Sequence, residues 1–388
     1  VKHALFVLAL ALAVFVALAA RGGDALAVDR TFAGSAQLDY HLVPSQRGAN
    51  GSAIGFDGFT TEASLKLAVD VSDHLSANVK VCFGCHGFET DMAYADLRVV
   101  DELNFRIGRM SPSFGAYNLR HDPANHRLSD KPLPYDMGRM LRMRDWNLGV
   151  LPSPFPDNGI EVDGTHWFGQ GAQLDYAAYL VSGFKAQRDA VDLDFAQSRS
   201  GSAYYVDNNG RPTTGGRVAL TAKLSSVTDL TAGGSAMYGS FDPNNDLHYA
   251  ILGGDVSLRV VRTSFRVEYL LRREEFDVSD PTRFKFAVPK AHGDFFAKHG
   301  AYVEVEQPLS DRLDIIARAD GMTRVGNVLV GSALDRVSSV GRFTLGSSFA
   351  VDPNLRIKGS TELWGFTDRD DRGHVREVSF HLGAVATF

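Results

Sequence analysis

The chain has 388 residues, 46 of them acidic and 40 basic, for a formal net charge of −6, with 38 glycines, 14 prolines and only two cysteines. That length excludes a small stapled scaffold, and the acidic balance gives no nucleic-acid-binding surface, since phosphate recognition needs clustered basic charge. Mean hydropathy is −0.11, and beyond the first twenty residues no apolar run is long enough for a membrane-spanning helix.

The amino-terminal stretch reads as an export signal. Val1-Lys2-His3 supplies a short basic region, and Ala4 to Ala20 is an unbroken apolar run. Ala17-Leu18-Ala19 and Ala25-Leu26-Ala27 each offer a small-x-small cleavage site, so processing is expected after Ala19 or Ala27. A membrane anchor is the alternative. Residues 28–388 are expected to form one domain.

From there the chain is dominated by a period of two. Ala63-Ser64-Leu65-Lys66-Leu67-Ala68-Val69 is apolar on odd positions, and the pattern resumes through Lys80, then Arg98, then Arg106. Such alternation means strand. The spacing predicts strands over Ala36–Val43, Thr61–Val71, Asn78–Gly84, Met92–Val100 and Glu102–Met110. Residues 111–158 break the rhythm with Pro112, Pro123, Pro132, Pro134, Pro152, Pro154 and Pro156. Proline cannot donate to a central ladder, so this stretch is expected to be one long ordered loop. Strands are predicted again over Gly159–Phe168, Gln173–Phe184, Gly216–Val227, Asp229–Phe241, Leu247–Val260 and Thr263–Phe276. Phe295–Leu309, Leu313–Met322, Ser338–Val351, Leu355–Phe366 and His374–Phe388 bring the number to sixteen.

Short connections such as Val100-Asp101 and Asp352-Pro353-Asn354 alternate with long ones such as 185–211 and 277–293. An even strand number with short turns at one end and long loops at the other suits an antiparallel barrel closed in a membrane better than a sandwich. Strand faces agree. Arg266 alternates with Phe265 and Val267, Glu304 and Glu306 with Val303 and Val305, and Arg356, Lys358 and Glu362 with Leu355, Ile357 and Leu363. A charge facing lipid at mid-depth costs about 2–4 kcal/mol, so the charged parity is expected to line the lumen. The expected lining is Lys66, Lys80, Arg98, Arg106, Arg266, Glu304, Glu306, Arg356, Lys358 and Glu362, with Arg139, Arg142 and Arg144 of the long loop.

The export signal, the strand pattern and the terminal Phe388 resemble the porins of the Gram-negative outer membrane. Ala93-Tyr94-Ala95-Asp96-Leu97, Phe105-Arg106-Ile107-Gly108-Arg109, Arg144-Asp145-Trp146-Asn147-Leu148-Gly149-Val150 and Asp175-Tyr176-Ala177-Ala178-Tyr179 are similar to stretches of the phosphate-selective porin group. The resemblance implies a sixteen-stranded channel, and the expected function is a non-enzymatic porin for small hydrophilic solutes. The arginines of the long loop point to anionic ones if they stand at a constriction, the alternative being that they pin the loop to the wall by ion pairs. The resemblance also implies outer-membrane lipid around the barrel, a homotrimer, and a loop folded into the pore. Phosphate selectivity does not carry over, because Glu304, Glu306, Asp314 and Glu362 interrupt a basic wall.

Cys82-Phe83-Gly84-Cys85-His86 holds both cysteines. The Cys-x-x-Cys-His spacing resembles the haem-attachment site of c-type cytochromes, with Cys82 and Cys85 as thioether positions and His86 as proximal iron ligand. Met92, which shares the parity of Tyr94 and Asp96, is the expected distal ligand, with His121 and His126 as alternatives. Such a barrel would carry one covalent haem c at the pore mouth, and the rival functional reading is an electron conduit working with a cytochrome partner. A hairpin disulfide or a three-ligand metal site are the other readings of the same residues. Residues Cys85 to Asp91 are expected to form the outer turn at this point.

Overall fold

The computed structural model describes residues 29–47, 53–84, 87–120, 122–136, 149–186, 207–277, 295–326, 339–367 and 374–388. The predicted export signal lies outside them. Sixteen strands form one closed antiparallel barrel in which each strand pairs with its sequence neighbours. They are β1 (Asp29–Arg47), β2 (Ala53–Ser72), β3 (Leu75–Gly84), β4 (Gly87–Val100), β5 (Leu103–Met110), β6 (Asp157–Phe168), β7 (Ala172–Val181) and β8 (Thr213–Ser225). Then follow β9 (Thr228–Ser240), β10 (His248–Val260), β11 (Thr263–Glu275), β12 (Phe295–Pro308), β13 (Leu313–Gly326), β14 (Ser339–Asp352), β15 (Leu355–Thr367) and β16 (His374–Thr387).

Each expected strand has its counterpart, and the corrections concern length. β1 and β2 begin earlier than alternation suggests, because Asp29 to Ala33 pair with Asp70 to Lys66 and the stretch from Ala53 to Thr60 pairs back onto Arg47 to Asp39. β4 begins at Gly87 rather than Met92. The β3–β4 ladder runs on through Cys82↔Glu89 and Phe83↔Phe88 to Gly84↔Gly87, leaving only Cys85 and His86 between the strands instead of the expected turn. A register shift between Lys80 and Val81 makes Asp91 the extra residue of a bulge.

Closure joins the two ends of the chain. β1 pairs with β16 from Ser35↔Thr387 to Leu42↔Phe380. The Gly34 amide donates to the Phe388 carbonyl (3.0 Å), and the Phe388 amide returns the bond to Gly34 (3.2 Å). With no free edge, every ladder group finds its partner inside the wall, as a hydrocarbon environment demands.

The two faces of the wall separate cleanly. Ala232, Val256, Val267, Val303, Ala319, Phe343, Leu363 and Val378 are successive Cα partners and form one apolar row around half the barrel. One residue away, Asp255, Glu268, Tyr302, Asp320, Arg342, Trp364 and Glu377 form the matching inward row. The outer row is exposed, with Val303 at 48% and Leu363 at 52%, whereas Glu268, Asp320 and Arg342 are buried. A lipid-facing arginine at mid-depth costs about 2–4 kcal/mol. Val303→Arg should therefore destabilise folding into lipid vesicles by about that amount, whereas Val303→Leu should be near neutral, as read from equilibrium denaturation.

Candidate functional site

The site is the lumen and the loop that crosses it. Residues 111–156, between β5 and β6, form the third loop at the long-loop end, here L3. Its prolines and short 3-10 turns, at Asn118–Arg120, Pro123–Asn125 and Leu133–Tyr135, give it a fixed course without a ladder. Asp122 caps the second turn by accepting from the Ala124 amide (3.1 Å). L3 buries Phe114, Tyr117, Leu128, Leu133, Tyr135, Val150, Leu151 and Phe155 inside the barrel. The aromatic end of the loop continues into the next connection, where Phe155 and Phe184 have ring centroids 4.4 Å apart.

Its course can be followed by its anchors. Near its start, Ser113 donates its amide to Glu161 of β6 (2.7 Å), and the Gly115 amide donates to Ser235 of β9 (2.9 Å). Glu268 of β11 then accepts from the amides of Ala116 (2.9 Å) and Tyr117 (3.2 Å) and from the hydroxyls of Tyr135 (2.5 Å) and Tyr302 (3.0 Å). Four donors satisfy one buried carboxylate that has no basic partner among the described residues, which is how a charge tolerates such a place. Gly115 has a φ of +65°, and a Cβ there would run into the Tyr135 hydroxyl and Glu268.

The loop next reaches the opposite wall. Asp122 meets Lys80 of β3 (3.2 Å), itself paired with Asp91 (3.1 Å), and accepts from Ser35 of β1 (3.1 Å). Arg127 bridges back to Asp314 of β13 (3.2 Å). Arg318 and Arg342 then hold the loop by its backbone. Arg318 donates to the Asp130 carbonyl (2.9 Å) and Arg342 to that of Lys131 (2.6 Å). Arg342 also makes a fork to Asp320 (3.0 and 2.7 Å), pairs with Glu362 (2.9 Å) and lies 4.9 Å from the Trp364 ring centroid. Asp320 in turn accepts from the Leu133 amide (3.0 Å). At Gly300 of β12 an added Cβ would press on Val150 and Pro134 at 2.9 and 3.0 Å, so the loop lies directly on the wall.

Every sequence-expected lining residue among the described ones faces inward, but not all meet water. Lys66, Arg98, Arg106, Arg266, Glu304, Glu306 and Arg356 retain access to the lumen. Lys80, Lys358 and Glu362 are corrected: L3 covers them, Lys358 and Glu362 being 0% exposed, so they fasten the loop or brace the wall beneath it. Lys358 donates to Gln37 (3.1 Å) across the seam. Arg139, Arg142, Arg144 and His121 lie outside the described residues. His126 is half-buried in L3, with its Nδ1 2.8 Å from the Leu128 carbonyl. Burial first, and then Lys358 and Lys131, push its pKa well below the usual histidine value. Asp130, Arg318, Asp320 and Arg342 have roles that alternation alone did not single out; the signal of the three strand residues is charge on the inward parity, which cannot say where a loop will land, and Asp130 on the loop carries no such signal.

Of the cysteine motif, Cys85 and His86 lie outside the described residues. Cys82 faces inward as expected, as does Met92, the Cα partner of Lys80. The Cys82 thiol donates to Asp91 (3.6 Å), whose carboxylate also pairs with Lys80. That surrounding is a charged cluster rather than the apolar slot a porphyrin favours, so these neighbours fit a haem poorly.

Beneath L3, toward the short-turn end, a bay of about 510 Å³ is lined by Arg120, Arg217, Asp229, Asp255, Arg259 and Arg266, with Ala116 and Leu119 of the loop. Arg217 forks onto Asp255, Arg259 pairs with Asp229, and Arg266 holds Glu304 (3.0 Å) and Glu306 (2.8 Å). Arg120 has no ion-pair partner among the described residues. Across the lumen, Asp96, Asp163 and Glu161 surround Arg106, and Asp70 and Asp96 surround Arg98. The lumen here lies between a wall richer in carboxylates and one richer in guanidinium groups.

Solved structures that share this fold include outer-membrane proteins. Salmonella typhi OmpF, in a complex with daunomycin, matches with a TM-score of 0.56 at 10% identity, over 92% of this chain and 97% of that one. Pseudomonas putida OprB gives 0.54 at 9% identity, over 93% and 94%. OmpT of Vibrio cholerae in a trimer form gives 0.51 at 10% identity, over 93% and 100%. No family model and no curated protein sequence matches the chain. The fold is that of the outer-membrane porins.

Replacing Glu268 removes the shared acceptor of four L3 donors. Glu268→Ala should loosen the loop, giving larger and noisier single-channel steps in a planar bilayer while the barrel still closes. Unchanged conductance and noise would show that the remaining anchors suffice.

Proposed function

We propose that this protein is an outer-membrane diffusion channel for small hydrophilic solutes, with L3 setting its narrow passage and an anion preference set by arginines on that loop. The observation that carries the reading is L3 itself, fastened across the lumen of a barrel whose outer face is apolar. A closed barrel with an exposed apolar belt belongs in lipid, and an inward face of fixed charges gives a water-filled space in which ions are sorted by field as well as by size. No reaction step is needed: solute moves down its gradient, and the wall supplies selectivity.

Anion preference rests on Arg120, which faces the bay without a carboxylate partner among the described residues, and on Arg139, Arg142 and Arg144 further along the loop. Guanidinium groups offer fixed charge and forked donors to carboxylates and phosphates. Phosphate specificity is not part of the reading, since Glu304, Glu306 and Asp314 neutralise much of the wall. A homotrimer, as in the trimer form of Vibrio cholerae OmpT, is the proposed assembly. Arg120→Glu should move the reversal potential in a salt gradient toward cation preference, and Arg139→Ala, Arg142→Ala and Arg144→Ala combined should move it the same way. No shift in either variant would leave these arginines as structural pins.

The electron-conduit alternative depends wholly on Cys82, Cys85 and His86. Thioether bonds are covalent and survive denaturation, whereas coordination does not. Intact-mass measurement of the denatured, processed chain should give the bare polypeptide for a plain channel. A gain of one haem would establish the conduit reading, and a loss of two protons would identify a hairpin disulfide.

A further inference from the structure

The seam that closes the barrel brings two histidines face to face beneath L3. His41 of β1 and His381 of β16 are Cα partners, and their Nδ1 atoms lie 2.6 Å apart. The far nitrogen of each ring is held from behind: His41 Nε2 lies 2.8 Å from the Thr60 hydroxyl, and His381 Nε2 lies 3.0 Å from Glu362. Asp130 reaches down from L3 to within 3.6 Å of His381 Nε2. Ligand atoms of His41, Asp130 and His381 all lie within 4.8 Å of one another, and all three residues are buried.

With Nε2–H of His381 donating to Glu362, its Nδ1 presents a lone pair to Nδ1 of His41. The gap between the rings is filled either by the Nδ1–H of a neutral His41, whose Nε2 then accepts from Thr60, or by a metal ion bound to both nitrogens. The carboxylates of Asp130, Asp320 and Glu362 gather around Arg342 beside the histidine pair, so the pair sits in a buried and strongly polar surrounding. Paired imidazoles turned to a common point, one backed by a carboxylate and the other by a hydroxyl, with a third oxygen donor from another element, are the first and second shells of a transition-metal site.

We propose that His41, His381 and Asp130 bind one divalent ion of the zinc class, which clips L3 to the seam between β1 and β16. Metal–nitrogen bonds of about 2.0–2.1 Å in a tetrahedral site put the two nitrogens roughly 3.3 Å apart. Binding therefore parts the rings slightly and draws the Asp130 carboxylate inward, with water in the fourth position. The clip acts on the same loop that narrows the lumen, yet it is independent of which solute passes.

Cobalt(II) is the probe, used on barrel carrying Cys82→Ser and Cys85→Ser so that thiols cannot bind it. The protein is refolded with cobalt, freed of excess ion, and checked for barrel closure by its heat-modifiable migration. One retained cobalt per chain, with the visible absorption of a four-coordinate ion, is the expected result. His41→Ala with His381→Ala should abolish retention; Asp130→Asn, which leaves both strands of the seam unchanged, should weaken it and serves as the test where the histidine double variant does not close. Thr60→Val, which removes only the hydroxyl behind His41, should weaken binding roughly 10–100-fold. Folded protein that retains no cobalt overturns the proposal and leaves a proton shared between the rings. Retention unchanged by Asp130→Asn and by the histidine variants overturns it as well, because the ion then sits elsewhere.

Discussion

Glu268, Asp320 and Arg342 decide where L3 lies, and through it what the lumen can be. They belong to one inward row of the wall, and each combines bonds within the wall with at least one bond to the loop. A buried carboxylate or guanidinium left without partners would cost several kcal/mol, so these groups and the loop stabilise each other or neither is stable. Removing the loop's amides would leave the wall with unsatisfied charge; removing the wall's charges would leave the loop with unsatisfied amides. The apolar underside of L3, with Phe114, Leu133 and Tyr135 fully buried, adds area to this fit, but area alone would not fix a register.

How much of this could be read in the chain depends on the range of the interaction. Strand positions were legible because lipid enforces parity residue by residue: a charge next to Val267 or Val303 has one permitted side. The exceptions are instructive. Asp29 to Ala33 and Gly87 to Thr90 carry little alternation, yet they extend β1 and β4, because backbone pairing with an established neighbour is enough to hold a strand whose side chains say nothing. The loop was legible as a loop, from its prolines, and its infolding followed only from resemblance. Its landing places were not legible, since Asp122 with Lys80 and Asp130 with Arg342 are pairs far apart in sequence whose meeting depends on the closed barrel. Lys358 and Glu362 show the same limit. Parity correctly turned them inward, but only the loop's course determined that they are covered.

Sequence spacing and spatial surroundings also part company at Cys82. Two residues separate it from Cys85 along the chain, a spacing meaningful where a helix or turn presents both thiols to one ligand. Here Cys82 belongs to a strand, with its thiol beside Asp91 and Lys80, and the ladder continues past it to Gly84. A motif borrowed from helical proteins acquires a different environment on a strand, because the period of two aims its first residue at the lumen whatever follows.

The coupling of loop and closure has a consequence for assembly order. L3 is anchored to Ser35 of β1, to Lys80 of β3, to Asp320 and Arg342 of β13 and β14, and through Asp130 approaches His381 of β16. The partners at Ser35 and His381 stand at opposite ends of the chain and come together only when β1 pairs with β16. Before closure the loop can satisfy part of its polar groups at most, and ordering it would carry a conformational cost of about 1–2 kcal/mol per residue against few contacts. After closure the same contacts arrive together. The interior of this barrel is therefore built last, on a frame whose lipid-facing row and seam are already fixed, and the passage it leaves is a property of the closed wall rather than of L3 alone.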